Sequence, residues 1–117
     1  MTAIGFIGLG YMGHGMAANL LANGYTLYVK GNRNRTPVDA LVARGAIECA
    51  TPAEMVAKCD IIHLCLSNSP QVEAVIRGSK GILQRARAGV TVIDTSTSDP
   101  TSTLSLAAEL ADHGMTM

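Results

Sequence analysis

Three glycines, Gly8, Gly10 and Gly13, fall in the stretch Gly8-Leu9-Gly10-Tyr11-Met12-Gly13. An apolar run, Ala3-Ile4-Gly5-Phe6-Ile7, precedes them and a helical pattern from Met16 to Leu21 follows. Strand, glycine turn and helix in that order suit the binding of a pyrophosphate. Gly8 permits the tight turn, Gly10 lets a phosphate approach the backbone, and Gly13 lets helix and strand pack closely. The first N–H groups of the helix have no intrahelical partner and lie at its positive end, so an anion is favoured there. A ligand-free glycine turn is the alternative; the flanking strand and helix favour a dinucleotide.

A second chemical clue follows the next expected strand, in Lys30-Gly31-Asn32-Arg33-Asn34-Arg35-Thr36. A site for NAD usually carries Asp or Glu about 20 residues after the glycines, to hold the ribose 2′-hydroxyl. Here no acid occurs before Asp39, and Arg33 and Arg35 stand in the loop instead. The arginine fork of donors matches a phosphate. The spacing therefore favours NADP, with NAD possible, over two merely solvated arginines.

The elements that must position these groups are legible in order. Strands are expected at Ala3 to Ile7, Leu27 to Lys30, Ala46 to Cys49, Asp60 to Leu66 and Val90 to Asp94. Met115 to Met117 reads as the start of a sixth. Helices are expected at Tyr11 to Ala22, Pro37 to Arg44 with Thr36 as cap, Pro52 to Lys58, Gln71 to Arg77 and Pro100 to His113. A short helical piece lies near Gly81 to Arg85. Thr51 with Glu54 three residues on makes a capping box. The run Asp60 to Leu66 reads as a parallel strand buried on both faces. Alternating strands and helices predict an α/β fold, a doubly wound parallel sheet of the Rossmann type with strand order 3-2-1-4-5-6. Ligands of such sheets lie beyond the carboxyl ends of the strands. That places Gly8 to Gly13, Gly31 to Thr36, Ser67 to Pro70 and Thr95 to Asp99 along one edge.

Composition narrows the classes. The chain has 117 residues, enough for one domain with a real core. Nine basic and nine acidic residues cancel, and no basic stripe points to nucleic acid. The cluster Arg77, Lys80, Arg85 and Arg87 reads as a solvated helix face. The apolar start lacks the charged flank of a secretory leader, and no run is long enough to span a membrane. Cys49, Cys59 and Cys65 are odd in number and lack metal-site spacing, as expected of reduced thiols in a cytoplasmic protein.

Several stretches together resemble the β-hydroxyacid dehydrogenases, which include the 3-hydroxyisobutyrate dehydrogenases and tartronate semialdehyde reductases. They are Ile4 to Gly13 continuing through Met16-Ala17-Ala18-Asn19-Leu20-Leu21, then Leu64-Cys65-Leu66-Ser67-Asn68, then Asp94-Thr95-Ser96-Thr97-Ser98-Asp99-Pro100. The last is similar to the family's substrate signature and is the most specific of the three. The resemblance implies that Gly8, Leu9, Gly10, Tyr11, Met12 and Gly13 hold the pyrophosphate. It gives Asn32 and Arg33 the adenosine ribose and its phosphate, Leu66 and Ser67 the nicotinamide-side ribose, and Val72 a place near the adenine. Thr97 would reach the nicotinamide ribose and Ser96 the substrate carboxylate. Hydroxyls suit that last task because they donate to a carboxylate. Their other use is to cap the following helix, which Ser98 or Asp99 could do alone.

There are departures. Gly15 stands where the family has proline, Thr95 where methionine is common, and Asp99 where serine is frequent. Gly31 resembles an insertion, which leaves open whether Arg33 or Arg35 takes the family arginine position. His14 reads as an exposed histidine at a helix start and His63 as a core or rim histidine. The resemblance also implies an all-helical second domain with the catalytic lysine, absent from this chain. Lys30, Lys58 and Lys80 lie in the wrong stretches, so no catalytic residue and no metal ligand is expected within residues 1–117, which would end inside the sixth strand. The reading is thus the NAD(P)-binding half of an oxidoreductase that moves a hydride between NADP(H) and a small β-hydroxyacid or semialdehyde. The intact protein is expected to be a homo-oligomer and the half alone inactive. The alternative is a non-catalytic dinucleotide-sensing or scaffolding domain, for which the Ser96 and Thr97 hydroxyls would have no use.

Overall fold

The computed structural model describes residues 3–31, 35–96 and 99–117, with the backbone alone at residue 11. Five strands form one parallel sheet: β1 (Ala3–Ile7), β2 (Thr26–Lys30), β3 (Ile47–Cys49), β4 (Ile61–Leu64) and β5 (Thr91–Asp94), in the order β3-β2-β1-β4-β5. The helices between them are α1 (Tyr11–Ala22), α2 (Thr36–Ala43), α3 (Pro52–Lys58), α4 (Ser69–Arg77) and α5 (Pro100–Ala111), with a 3₁₀ turn at Ile82–Arg85. This is the doubly wound arrangement expected. The place of a sixth strand is marked by one parallel bridge, Thr91 to Thr116, at the outer edge of β5.

The period-2 pattern of the strands sorts their side chains into two cores. Ile4, Phe6, Leu27 and Val29 pack with Ala17, Val38 and Leu41 beneath α1 and α2. Ile7, Ile62, Leu64 and Val92 pack with Met55, Ile76 and Leu110 beneath α3, α4 and α5. Right-handed crossovers require that division. β4 departs from expectation. Ile62 and Leu64 are fully buried, but Ile61 and His63 on the opposite face are only half-buried, and Ile93 beside them on β5 is 41% exposed. An apolar run was a poor guide here because α1 and α2 cover β1 and β2 and stop short of β5.

Helix starts follow their capping chemistry. The Thr51 hydroxyl accepts from the Glu54 N–H at 3.2 Å, and the Glu54 carboxylate accepts from the Ala50 N–H at 3.1 Å. The Asn68 side chain accepts from the Gln71 N–H, and the Asp99 carboxylate from the Thr101 N–H. The start of α2 differs from expectation. Thr36 is the first helical residue, and the cap position belongs to Arg35, which makes no side-chain capping bond. The basic cluster is also more than a solvated face. Arg87 donates to the carbonyls of Val56 and Cys59, closing the carboxyl end of α3, and Arg77 pairs with Glu109 and Glu73, tying α4 to α5.

Candidate dinucleotide site at the carboxyl edge of the sheet

The turn leaving β1 is held by its neighbour. The Cys65 N–H donates to the Ile7 carbonyl at 2.9 Å, so the chain after β4 lies against the glycine turn. Gly8 has φ +103°, and a Cβ there would lie 2.0 Å from the Cys65 carbonyl oxygen. A Cβ on Gly13 would lie 1.8 Å from the Gly8 carbonyl oxygen. Both glycines are therefore required by the fold itself. Gly10 is different. It caps α1 in an extended conformation, and a Cβ there would meet nothing within 4 Å. Its missing side chain serves open space, as a cradle for an incoming group requires. The first turn of α1 carries no acidic residue and its cap supplies no side-chain bond, so the unpartnered N–H groups at this end suit an anion.

Two cavities of 270 Å³ flank this turn. Gly8, Leu9, Leu66 and Gln71 line both; Ser67 and Cys65 line the first, and Lys30, Gly31, Ala74 and Val75 the second. A wider groove of 1180 Å³ opens between α1 and the start of α2, past Gly10, Met12, His14 and Pro37. Described residues of three expected edge loops line these spaces, while those of the loop from Thr95 to Asp99 line none of them. Val72 does not join them. It is buried beneath α4 at 1% exposure, and Ala74 and Val75 on the same helix face the cavity instead. Helix α4 begins two residues before its expected start, and only the observed helix shows which side turns inward. Gln71, expected only as a helix start and not as a site residue, lines both cavities and accepts the Ser67 N–H at 2.8 Å.

The loop after β5 is stitched to the loop after β4. The Leu66 N–H donates to the Ser96 hydroxyl oxygen at 2.7 Å, and the Ser96 N–H donates to the Asp94 carboxylate at 2.8 Å. Farther on, the Asp99 N–H donates to the Ser69 hydroxyl at 2.6 Å. Because the Leu66 bond uses a lone pair of Ser96, the hydroxyl hydrogen is left to donate elsewhere. Asp99 performs the capping of α5, so Ser96 is spared it, and the Asp99 carboxylate is engaged with Thr101. Thr95 donates its hydroxyl to the Leu64 carbonyl at 3.1 Å and meets His63 Nε2 at 3.0 Å, which assigns the imidazole proton to Nε2. His63 also stacks on Phe6, with ring centroids 4.7 Å apart. Desolvation holds its pKa below the ordinary value, with Asp94 partly opposing. It is a neutral rim histidine, as expected.

At the end of β2 the arginine loop is partly visible. Asn32 and Arg33, like Thr97 and the Tyr11 side chain, lie outside the described residues. Arg35 is described, and its guanidinium is bound. Nη1 and Nη2 donate to the two oxygens of Glu48 at 2.7 and 2.8 Å, and Nη2 also donates to Asp39 at 3.1 Å. Lys30, passed over because it could not be a catalytic lysine, lines the second cavity and reaches the Gly31 carbonyl at 3.3 Å. The thiols are unpaired, with Cys49 and Cys59 buried, and burial pushes the Cys59 thiol up to about 12. Among the described residues, no His, Cys, Asp or Glu cluster could hold a metal, and no helix is long and apolar enough to cross a membrane.

A doubly wound sheet with a glycine turn opening at its carboxyl edge defines a dinucleotide-binding domain. The chain belongs to the family described as the NAD binding domain of 6-phosphogluconate dehydrogenase, whose model matches residues 3–117. It is 42% identical over 112 residues to 2-(hydroxymethyl)glutarate dehydrogenase of Eubacterium barkeri, covering 96% of this chain and 37% of that one. It is 39% identical over 111 residues to the human cytokine-like nuclear factor N-PAC, covering 95% of this chain and 20% of that one. Among solved structures, 3-hydroxyisobutyrate dehydrogenase of Mycobacterium tuberculosis with L-serine superposes with a TM-score of 0.85. That match has 31% identity and covers 99% of this chain and 38% of that one. Psf3 in complex with NADP⁺ and 2-OPP superposes with a TM-score of 0.88 and 30% identity, covering 97% of this chain and 40% of that one. The chain thus spans well under half the length of these relatives, and it is similar to the cofactor-binding part of dehydrogenases and reductases.

Proposed function

We propose that this domain holds NADP(H) for a protein that moves a hydride between the nicotinamide and a small β-hydroxyacid or semialdehyde. The observation that carries the reading is Gly10. It is the one glycine of the turn that the fold leaves facing open space, over helix N–H groups with no acid beside them. When bound, the dinucleotide supplies the hydride chemistry. The chain's own part is to bind and orient. Gly8 to Gly13 receive the pyrophosphate, Leu66 and Ser67 border the path toward the nicotinamide, and Thr97 is assigned its ribose. Ser96, anchored by the Leu66 N–H, donates to the substrate carboxylate. Preference for NADP over NAD is supported by Arg33, Arg35 and Lys30 about the end of β2, where no residue of β2 is acidic.

The test is calorimetric titration of the chain with NADPH and NADH. NADPH is expected to bind more tightly by about tenfold or more, the scale of a charged contact to the 2′-phosphate. Equal affinities would refute the preference, and no binding of either would refute the dinucleotide reading. A non-catalytic role has one observation in its favour, the 39% identity to a relative whose name is that of a nuclear factor. The Ser96 anchor opposes it, because a pure sensor has no use for a positioned donor at the nicotinamide end.

A further inference from the structure

The end of β2, where the 2′-position would be read, has a carboxylate beside it that the glycine motif gave no reason to look for. Glu48 lies on β3, paired with Val29, and its side chain crosses the end of β2 to reach Arg35. A Cβ built on Gly31, the residue that follows β2, would lie 2.8 Å from Glu48 Oε2 and 2.5 Å from Arg35 Nη1. The acid of an NAD-type site is expected at this end of β2. The neighbouring strand therefore brings a carboxylate to the place where β2 itself has none. The two oxygens of Glu48 grip both terminal nitrogens of Arg35, the same planar fork that a phosphate takes. Asp39 takes a further hydrogen from Nη2.

We infer that Glu48 is a specificity-determining residue, occupying the Arg35 guanidinium in place of a 2′-phosphate and so moderating the preference for NADP over NAD. A 2′-phosphate that takes the Nη1–Nη2 fork of Arg35 must displace Glu48, whereas NAD leaves the pair intact. Glu48 thus lowers affinity for one cofactor and not the other. Arg35 holds the Glu48 carboxyl below the usual carboxylate range, so the competitor stays charged at neutral pH. Both partners are substantially exposed, Arg35 at 51% and Glu48 at 34%. The exchange therefore takes place in water, where an ion pair contributes little enough to be given up. The inference rests on the dinucleotide reading above, but not on the direction of the preference.

The experiment titrates NADPH and NADH into the chain, Glu48→Gln, Arg35→Ala and the double variant, with thermal melting to confirm folding. Glu48→Gln keeps the size of the side chain and removes its charge. It is expected to tighten NADPH about three- to fivefold, the limit for an exposed pair, and to leave NADH unchanged. The gain should vanish when Arg35 is also replaced. Asp39→Asn, which loses a single contact, should give a smaller gain. Unchanged or weaker NADPH binding in a folded Glu48→Gln variant would overturn the inference. So would a gain that survives Arg35→Ala, which would reveal bare charge repulsion, or a failure of every variant to bind either cofactor. If the chain binds both cofactors equally yet Glu48→Gln tightens NADPH through Arg35, the preference falls and this inference stands.

Discussion

Gly10 and Gly13 look equivalent in the sequence, yet they answer to different demands. Alanine at Gly13 would drive a methyl group into the Gly8 carbonyl, whereas alanine at Gly10 meets nothing. Gly13→Ala is therefore expected to destabilise the chain by about 3 kcal/mol or more. Gly10→Ala should melt within about 1 kcal/mol of the parent yet lose at least about tenfold in dinucleotide affinity. Paired melting and titration check this, and a Gly10→Ala variant that binds normally would remove the cradle. His63 makes a separate prediction. Its folded pKa is depressed, so the unfolded chain binds the extra proton first. Its contribution to stability is complete above the ordinary value of 6.5 and is lost as pH falls from there through the depressed folded value. His63→Gln should flatten the stability curve in that window. The slope at more acid pH, where Glu48 and Glu109 protonate, should persist. Denaturant titrations across the pH range would show whether the two windows separate.

The elements were legible where local chemistry decides them. Thr51 and Asp99 are polar residues followed by proline, and α3 and α5 begin where they imply, while Asn68 caps α4 two residues before its expected start. The start of α2 was misplaced by one residue because its cap position holds Arg35, whose side chain is drawn to Glu48 on another strand. No local pattern contains that partner. Arg87 was misread for the same reason. Its targets, the Val56 and Cys59 carbonyls at the end of α3, lie about thirty residues back along the chain. That contact closes a helix whose other end is fixed by Thr51. Arg87→Ala should cost about 1–2 kcal/mol, the range for a charged donor on carbonyls discounted for exposure. Lysine should restore only part of it, because one ammonium cannot span both carbonyls as the guanidinium does. Chemical denaturation of the two variants measures the difference.

For the whole molecule, the order of the five observed strands is the one implied by the alternation of strands and helices around the glycine turn, whereas the two cores emerge only from the folded chain. The candidate site was legible as a set of loops and less so as a set of side chains. Backbone requirements such as Gly8 announce themselves in sequence. The inward face of α4, which turned Val72 into the core and Ala74 toward the cavity, depends on a helix phase fixed by packing. The same scale sets an expectation for activity. His63, the described histidine bonded to Thr95, has its pKa held below the ordinary value, and Lys30, Lys58 and Lys80 lie at the end of β2, at the end of α3 and after α4, outside the loop that carries Ser96. General acid–base help is worth ~10²–10⁴ in rate. Residues 1–117 should therefore bind NADPH weakly and show no turnover of small semialdehydes or hydroxyacids. Clear turnover would place the proton-transfer group within this chain.

The bond from the Leu66 amide to the Ser96 hydroxyl has one more consequence. It joins the loop after β4 to the loop after β5, the two ends proposed above for the dinucleotide and for the acid. Under the proposed function, a carboxylate that pulls on Ser96 would be felt by the backbone beside the cofactor, and a cofactor seated against Leu66 would bear on the angle from which Ser96 donates. Free energies of binding are reciprocal, so each ligand must alter the affinity of the other by the same factor. On that reading, a single hydrogen bond of 2.7 Å couples the two proposed ligands before any chemistry begins.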